Sequence, residues 1–483
     1  MNFIIFISLS ILSKILASAR EFGIAATWGT GTLVDSFIIA MLLPAFFLDF
    51  FSTWFNSTYV SSYIKAENNV KSTFFCKVAL VVIVLCLCTS SVIYYFIDLY
   101  VVYGGVPAST IIVIKDIKWI VIIYYIMMVL CEFMKAHLIA IKKQKIMPVP
   151  MIISNVLFVF LLFHYSTSDL NKNNELAICF VLSSAVQLLL YYIISPKVFG
   201  TISYQEKTIN IYSFVKTMPA MLLNTAINQS GRVVDKIIAS GLVVGSLSSI
   251  YFSQQLYALY INMIVVSVLT FAYPKICEKS NCNDRDFSRF SFDVIVSVGA
   301  LLIFPVILGV LYSDLLFRYL LSGDNNAAEQ TRSVFIIMSS AIIFESISAV
   351  IKRSLWAKNL LNITIVIGAV GVISNIALSF CFSNKFGLYG ISYAFTISSF
   401  VTAIIYMGVF FKRYPMLDDC KMQIKLLLTT VITALLYLLI ASYYVLKAKT
   451  DVVLLSFLPS LIIFSINYYV LFKFKVFDVV VKK

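Results

Sequence analysis

Long apolar stretches separated by short polar breaks run through the whole chain. A helix needs about 20 apolar residues to cross the hydrocarbon core of a bilayer, and most of these stretches reach that length. The pattern therefore predicts an all-α integral membrane protein with about 14 transmembrane helices. The predicted spans, numbered in chain order, lie near residues 3–27, 34–62, 78–98, 118–140, 147–166, 175–194, 212–240, 246–273, 290–313, 333–355, 360–382, 387–411, 423–445 and 452–472.

The positions of Lys and Arg predict the orientation, because these residues concentrate in cytoplasmic loops. With the first residue inside, the inner connections and the tail hold 24 basic residues and the outer connections hold eight. A miscounted helix would reverse this bias downstream, and it never reverses. We therefore expect a multi-pass protein of the bacterial inner membrane with both termini in the cytoplasm.

The first apolar stretch has two interpretations. Phe3 to Ile11 followed by Ala17-Ser18-Ala19 resembles a signal peptide with its cleavage site. However, no basic residue precedes the stretch, and Lys14 and Arg20 lie inside the continuing helical pattern. We therefore expect a retained first span.

Composition excludes a soluble enzyme, since 61% of the 483 residues are apolar, 12% are charged, and the mean hydropathy is +0.95. The net charge of +14 is explained by the inner loops, so nucleic acid is not an expected partner. The nine cysteines form no CxxC pair, and neither metal nor other cofactor is predicted. A membrane glycosyltransferase or polymerase would be expected to carry a sizeable outer loop, so we expect a transporter and not an enzyme.

An internal repeat divides the spans. An offset of 214 residues places Glu21 on Asp235 and Gly31 on Gly245, and it carries spans 1 and 2 onto spans 7 and 8. Repeats of this kind are common in transporters, with the substrate site at their interface. We expect two pseudo-symmetric six-helix lobes around a central cavity, residues 1–200 and 201–415, with the terminal helix pair and basic tail in residues 416–483.

Ionisable residues inside spans are costly unless they meet a partner or water, so they mark candidate sites. Asn224, Asn228, Arg232 and Asp235 recur every three or four residues and form one polar stripe on span 7. Other charges lie in spans 1, 2, 4 and 10, namely Arg20, Glu21, Asp35, Asp49, Glu132, Lys135 and Glu345.

These charges have a structural and a functional interpretation. In the first, they form pairs between helices: Arg20 with Asp35 or Glu21, Arg232 with Asp235, and Glu132 with Lys135. In the second, Arg20 and Arg232 converge from the two lobes on the cavity and bind an anion, since guanidinium suits phosphate. Nearby carboxylates would hold these arginines when the site is empty or exchange a coupling cation.

Two segments resemble the lipid II flippase family (MurJ, also called MviN) at its first two and its seventh and eighth helices. At the first two helices the matching residues are Arg20-Glu21-Phe22-Gly23, Gly29-Thr30-Gly31, Val34-Asp35-Ser36-Phe37 and Leu43-Pro44. At the seventh and eighth helices they are Val234 to Ser240, Gly245-Ser246 and Phe271 to Pro274. The resemblance implies the multidrug/oligosaccharidyl-lipid/polysaccharide exporter fold and the flipping of an undecaprenyl-pyrophosphate-linked saccharide to the outer leaflet by alternating access. It also implies that Arg20 and Asp35 line the cavity and that the last two helices hold the lipid tail.

The chain lacks positive charge at two places where the family pattern has it. A basic pair is expected after Leu43-Pro44, where this chain continues to Asp49 without one, and an arginine is expected in span 8 at Gln255. The departures favour a relative that moves an O-antigen or capsule unit in place of lipid II. A cation-coupled multidrug or small-molecule antiporter of the same superfamily is the alternative.

The resulting predictions name a site and its partners. The expected partners are the lipid-linked saccharide, membrane lipids, and a coupling cation (H⁺ or Na⁺) or the membrane potential, and the protein is expected to be a monomer. The substrate-binding candidates are Arg20, Asp35, Asn224, Asn228, Arg232 and Gln255, and the cavity or coupling carboxylates are Glu21, Asp235, Glu132 and Glu345.

Overall fold

A computed structural model describes residues 2–65, 71–103, 107–141, 143, 146–166, 172–195, 211–280, 283–321, 324–358 and 360–415. Every regular element in these ranges is a helix. Eight of the described helices are long and apolar enough to cross a membrane, or nine if one bent pair counts as a single span. The predicted terminal helix pair lies outside the described residues, so the total of fourteen stays a prediction.

Each of the first twelve predicted spans coincides with a helix or with a run of consecutive helices. The α-helices are α1 Asn2–Trp28, α2 Thr32–Ala40, α3 Leu42–Trp54, α4 Val60–Lys65, α5 Lys71–Tyr103, α6 Ala108–Ala140, α7 Pro148–Ser166, α8 Lys172–Ile194, α9 Ile211–Lys216, α10 Met218–Ser240, α11 Ser246–Tyr260, α12 Val266–Ser280, α13 Asp284–Leu311, α14 Ser313–Leu320, α15 Asn325–Ala357, α16 Leu361–Phe386 and α17 Leu388–Arg413. The short helix α14 lies in a segment that the sequence predicts to be a connection.

Span 2 is broken at Met41, where α2 and α3 meet at an angle of 42°. Pro44 explains the break, because it has no N–H to donate to the carbonyl of Ala40 and its ring crowds that carbonyl. Pro219, which lies inside predicted span 7, is in the first turn of α10, after an interruption at Thr217, where a missing N–H costs little.

Spans 2 and 8 each contain a single π-helical segment, Phe55–Tyr59 and Ile261–Val265. In both cases the helix continues on either side, with α3 and α4 around the first segment and α11 and α12 around the second. A π segment accommodates one extra residue in a helical turn and often marks a functional position. The two spans that the repeat relates therefore share this irregularity.

The chain forms two compact units, Met1–Ser249 and Ile250–Lys483. In the first unit α6 packs on α8, α1 on α7, and α10 on α3. In the second unit α16 and α15 both pack on α17, around a core that includes Val294, Val298 and Ile342. The first unit contains predicted spans 1–7 and the first turn of span 8. The lobe boundaries near residues 200 and 415 concern the repeat and stay a prediction.

Candidate functional site

Helix α10 is fixed against span 2 at one end by an aromatic contact. The indole Nε1 of Trp54 donates a hydrogen bond to the hydroxyl of Thr217 at 3.1 Å. Its ring stacks on Phe214 with a centroid distance of 4.4 Å. Trp54 and Phe214 are both buried. This Trp54 contact holds the junction of α9 and α10 against the end of α3.

Charged side chains meet where the middle of α10 passes α3. The side-chain amide of Gln229 donates a hydrogen bond to the carboxylate of Asp49. Arg232 is the charged group that acts most strongly on Asp49, and Lys236 also attracts it, whereas Glu132 repels it. Asp49 and Arg232 are exposed although they lie in predicted spans. Charges at such depth are costly against lipid, so they mark this side of the unit as a candidate polar surface.

Helix α6 contributes the third side of this cluster. Glu132 accepts a hydrogen bond from the hydroxyl of Ser52 at 2.8 Å. The ammonium of Lys135 donates to both carboxylate oxygens of Glu132, at 3.1 and 3.2 Å. One of the pairs proposed from sequence, Glu132 with Lys135, is therefore present. We call the whole cluster the charged face; it comprises Asp49, Ser52, Glu132, Lys135, Gln229, Arg232 and Lys236.

Arg20 is paired with its neighbour in the chain. Its guanidinium donates to the carboxylate of Glu21 at 2.6 Å from Nη2 and at 3.1 Å from Nε. It also lies 5.5 Å from the ring centroid of Phe158 and 5.1 Å from that of Phe180. Of the two partners left open by the sequence, Glu21 is the one observed.

Asp35 is buried, and its carboxylate is hydrogen-bonded to backbone N–H groups. Its carboxylate accepts hydrogen bonds from the backbone N–H groups of Gly245 at 2.7 Å and Ser248 at 2.8 Å, and its residue exposure is 5%. It thus satisfies otherwise unbonded donors at the start of α11. Gly245 has a φ of +91°, which favours glycine, and its Cα faces Thr30. This Asp35 contact joins span 2 to the start of span 8.

The remaining predicted residues are distributed as follows. Asp235 lies on α10 and is fully buried. Asn224 and Asn228 also lie on α10, but their side chains are outside the described part of the chain. Gln255 on α11 is half-buried and belongs to the second unit, as does Glu345 on α15, which attracts Lys352. Among the described residues no group of three or more His, Cys, Asp or Glu could hold a metal ion.

The sequence prediction omitted several members of the charged face. Asp49 and Ser52 lie three residues apart on α3, and Gln229, Arg232 and Lys236 lie at intervals of three and four on α10. These are the spacings of one helical face, so they could have been found by searching each span for polar residues at that period. The stripe predicted on span 7 runs through Asn224, Asn228, Arg232 and Asp235 and shares only Arg232 with the charged face.

Two solved structures illustrate the fold that this chain shares. A structure described as the lipid II flippase MurJ in an inward closed conformation superposes with a TM-score of 0.79 at 20% identity, covering 97% of this chain and 99% of that one. An inward-facing multidrug resistance MATE family transporter of the MOP superfamily has a TM-score of 0.71 at 10% identity, covering 85% and 98%. At these identities the likeness concerns the fold alone.

Sequence comparison gives the family. A probable lipid II flippase MurJ from Vibrio cholerae serotype O1 is 22% identical over 262 residues, which are 53% of this chain and 50% of the relative. The curated relatives are matched over 40% to 65% of their own length. The family model described as lipid II flippase MurJ matches residues 24–463, which is most of the chain. The resemblance noted from two short segments is confirmed, and the chain belongs to the lipid II flippase MurJ family.

Proposed function

We propose that the protein carries an undecaprenyl-pyrophosphate-linked saccharide from the cytoplasmic to the periplasmic leaflet by alternating access. The observation that carries the proposal is the match of the flippase family model to residues 24–463. Members of this family are transporters, so no covalent bond is made or broken. The sugar headgroup cannot cross hydrocarbon unaided, and the protein supplies a charged, wet path for it while the tail stays in lipid.

The charged face gives this path a physical basis. It combines three positive and two negative side chains, so that its net charge is positive: Lys135, Arg232 and Lys236 against Asp49 and Glu132. Guanidinium and ammonium groups bind phosphate oxygens through charge-assisted hydrogen bonds. Ser52 and Gln229 are suited to the hydroxyl and amide groups of a saccharide. The site residues named from sequence remain part of this proposal, including Arg20 beside Glu21.

Alternating access needs contacts that close one side of the membrane and can open again. The Trp54 contact and the Asp35 contact lie at opposite ends of the α10 region and are suited to this role. Opening at one surface would separate Trp54 from Thr217, and opening at the other would separate Asp35 from Gly245 and Ser248. The resemblance also implies a groove for the lipid tail in residues 416–483, which lie outside the described residues.

The substrate is proposed to be lipid II or a related O-antigen or capsule unit. Membership in the family favours lipid II. The absence of the basic pair between Leu43-Pro44 and Asp49, and Gln255 in place of an arginine, favours a different saccharide on the same carrier lipid. A cation-coupled multidrug antiporter is supported only by its shared fold, at 10% identity.

Reconstituted vesicles test the proposal directly. The full chain is inserted into liposomes that contain fluorescent lipid II, or the same carrier lipid bearing an oligosaccharide without a peptide, and outer-leaflet exposure is measured with a membrane-impermeant reagent. We expect accelerated exposure of at least one substrate over protein-free vesicles. Movement of neither substrate, together with gradient-driven uptake of a cationic dye, would instead support the antiporter.

Coupling is tested in the same vesicles. We propose a cation or the membrane potential as the driving force, acting on Glu21, Asp235, Glu132 or Glu345. Ionophores that collapse the proton gradient, the sodium gradient and the potential in turn should slow net accumulation in the outer leaflet. Accumulation that is insensitive to all three would remove coupling from the proposal without affecting the flipping step.

A further inference from the structure

We propose that Asp49 is a built-in counter-ion of the charged face, which neutralises Arg232 and Lys236 while the carrier is empty and is displaced by the diphosphate of the substrate. The inference rests on the proposed function, since it concerns the anion that this function would bring to the site. It assigns a specificity-determining role to a carboxylate that occupies a stretch where the family pattern has positive charge.

The position of Asp49 supports this role. Gln229 donates a hydrogen bond to the Asp49 carboxylate and so holds it beside α10. Gln229, Arg232 and Lys236 are spaced by three and four residues, which places all three on the side of α10 that packs on α3. Arg232 and Lys236 both attract Asp49. A carboxylate that Gln229 holds beside α10 thus lies within electrostatic reach of the two basic groups with which an incoming phosphate would bond.

The charges around Asp49 favour its displacement by a substrate anion over a permanent pairing with Arg232 and Lys236. Glu132 repels Asp49, which opposes the attraction by Arg232 and Lys236. The charge of Glu132 is itself countered by Lys135. A diphosphate presents more negative charge and more acceptor oxygens than one carboxylate, so it can bond to Arg232 and Lys236 at the same time. The substrate anion can therefore displace Asp49, whereas Asp49 re-forms its contacts when the substrate leaves.

The counter-ion also serves the return of the empty carrier. A guanidinium without a balancing charge is costly inside a membrane protein. With Asp49 beside it, Arg232 is balanced both before binding and after release. Asp49 should accordingly weaken substrate binding and speed turnover, which distinguishes it from a purely structural link between α3 and α10.

Binding measurements on purified full chain test the inference. The probe is undecaprenyl pyrophosphate without sugar, titrated in detergent and followed by thermophoresis, with undecaprenyl alcohol as the uncharged reference. The main variant is Asp49→Asn, which keeps the shape and removes the charge. Asp49→Ser serves as a second variant if the first folds poorly, as judged by size-exclusion chromatography.

Asp116→Asn is the matched control. Asp116 is an exposed carboxylate of the same unit, on α6, sixteen residues before Glu132 and hence about 24 Å from it along the helix. Its removal changes the net charge of the protein by the same amount as Asp49→Asn, but away from the charged face.

We expect Asp49→Asn to bind the pyrophosphate about tenfold more tightly than the wild type, a typical size for coupling between two competing partners. The alcohol should bind equally to both, Asp116→Asn should match the wild type, and turnover in vesicles should fall in Asp49→Asn. Unchanged or weaker pyrophosphate binding in both Asp49 variants would overturn the counter-ion role.

Arg232→Ala separates this result from failure of the proposed function. If Arg232→Ala weakens pyrophosphate binding while the Asp49 variants do not strengthen it, the phosphate site stands and only the counter-ion role fails. If pyrophosphate binds no better than the alcohol in any form of the protein, the proposed phosphate recognition fails as well.

Discussion

Span 2 carries two carboxylates that have opposite surroundings. Asp35 is buried and its oxygens accept two backbone N–H groups at the start of α11. Asp49 is exposed, accepts a hydrogen bond from the side chain of Gln229 and is attracted by Arg232 and Lys236. Asp35 completes the hydrogen bonding of a helix end, whereas Asp49 bonds to a side chain at an exposed position.

The difference shows that the role of a charged residue inside a span, structural or functional, depends on the groups to which it bonds. Backbone donors are fixed by the fold, so a carboxylate that binds them stabilises one arrangement of helices. Side-chain donors can turn toward a ligand. We therefore rank the following substitutions by the expected loss of stability, beginning with Asp35 and ending with Arg232 of the charged face.

Asp35→Ala should have the largest effect on stability. It removes two hydrogen bonds to a buried charged acceptor, and each such bond is worth about 1.5–3 kcal/mol, so we expect a loss of about 3 kcal/mol or more. Thermal unfolding in detergent, followed by intrinsic fluorescence, measures it. Asp49→Ala is the control and should lose only about 1 kcal/mol, since it removes one hydrogen bond, from Gln229, and a counter-charge of Arg232 at an exposed position. Equal losses in the two variants would remove the distinction between the carboxylates.

Arg20→Ala should rank second. It removes the cation paired with buried Glu21 and the contacts with the rings of Phe158 and Phe180. Breaking a fully buried pair costs 3–5 kcal/mol, and because the Arg20 side chain is 24% exposed we expect about 2 kcal/mol. Arg20→Lys should lose less, since it keeps the charge but not the planar stacking. If the two variants unfold at the same temperature, the rings do not contribute.

Gly245→Ala should cost about 1–2 kcal/mol, because its φ of +91° is unfavourable for a residue with a Cβ. The added Cβ would meet Thr30 no closer than 3.6 Å, so the cost comes from the backbone and not from crowding. Gly31, which the repeat places on Gly245, has an extended φ of −176° and an open Cβ position. Gly31→Ala should therefore be neutral in the same unfolding assay, and a loss as large as that of Gly245→Ala would contradict the backbone explanation.

Arg232→Ala should change stability least, within about 0.5 kcal/mol, because the side chain is exposed. Transport in vesicles should nevertheless fall at least about tenfold, since a charge-assisted bond to the substrate is lost. Arg318→Ala removes another exposed arginine, which pairs with Asp314 on α14, and should alter neither measurement. Normal transport by Arg232→Ala would exclude the charged face as the substrate path.

Much of the fold follows from apolar runs and breaks in the sequence. The first twelve spans were predicted because a membrane-spanning helix needs a long apolar run, and the bend in span 2 follows from Pro44. The π segment Phe55–Tyr59 and the short helix α14 were not predicted. A π turn has no compositional signature, and an eight-residue amphipathic helix in a connection is too short to register as a span.

The candidate site was less predictable, because burial depends on distant partners. Asp35 and Asp49 are fourteen residues apart, close to four helical turns, so the pattern alone places them on similar sides of span 2. Asp35 becomes a buried helix cap only because Gly245, 210 residues later, packs against it. That meeting depends on tertiary packing, which spacing within one helix does not encode.

The break at Met41 lies between two contacts that span 2 makes with neighbouring helices. These are the Asp35 contact on α2 and the Trp54 contact at the end of α3. Because Pro44 cannot donate a helical hydrogen bond to Ala40, α2 and α3 can tilt separately about Met41. In the proposed transport cycle, α11 therefore separates from α2 while α3 stays bonded to Thr217, so that one membrane surface opens while the other stays closed.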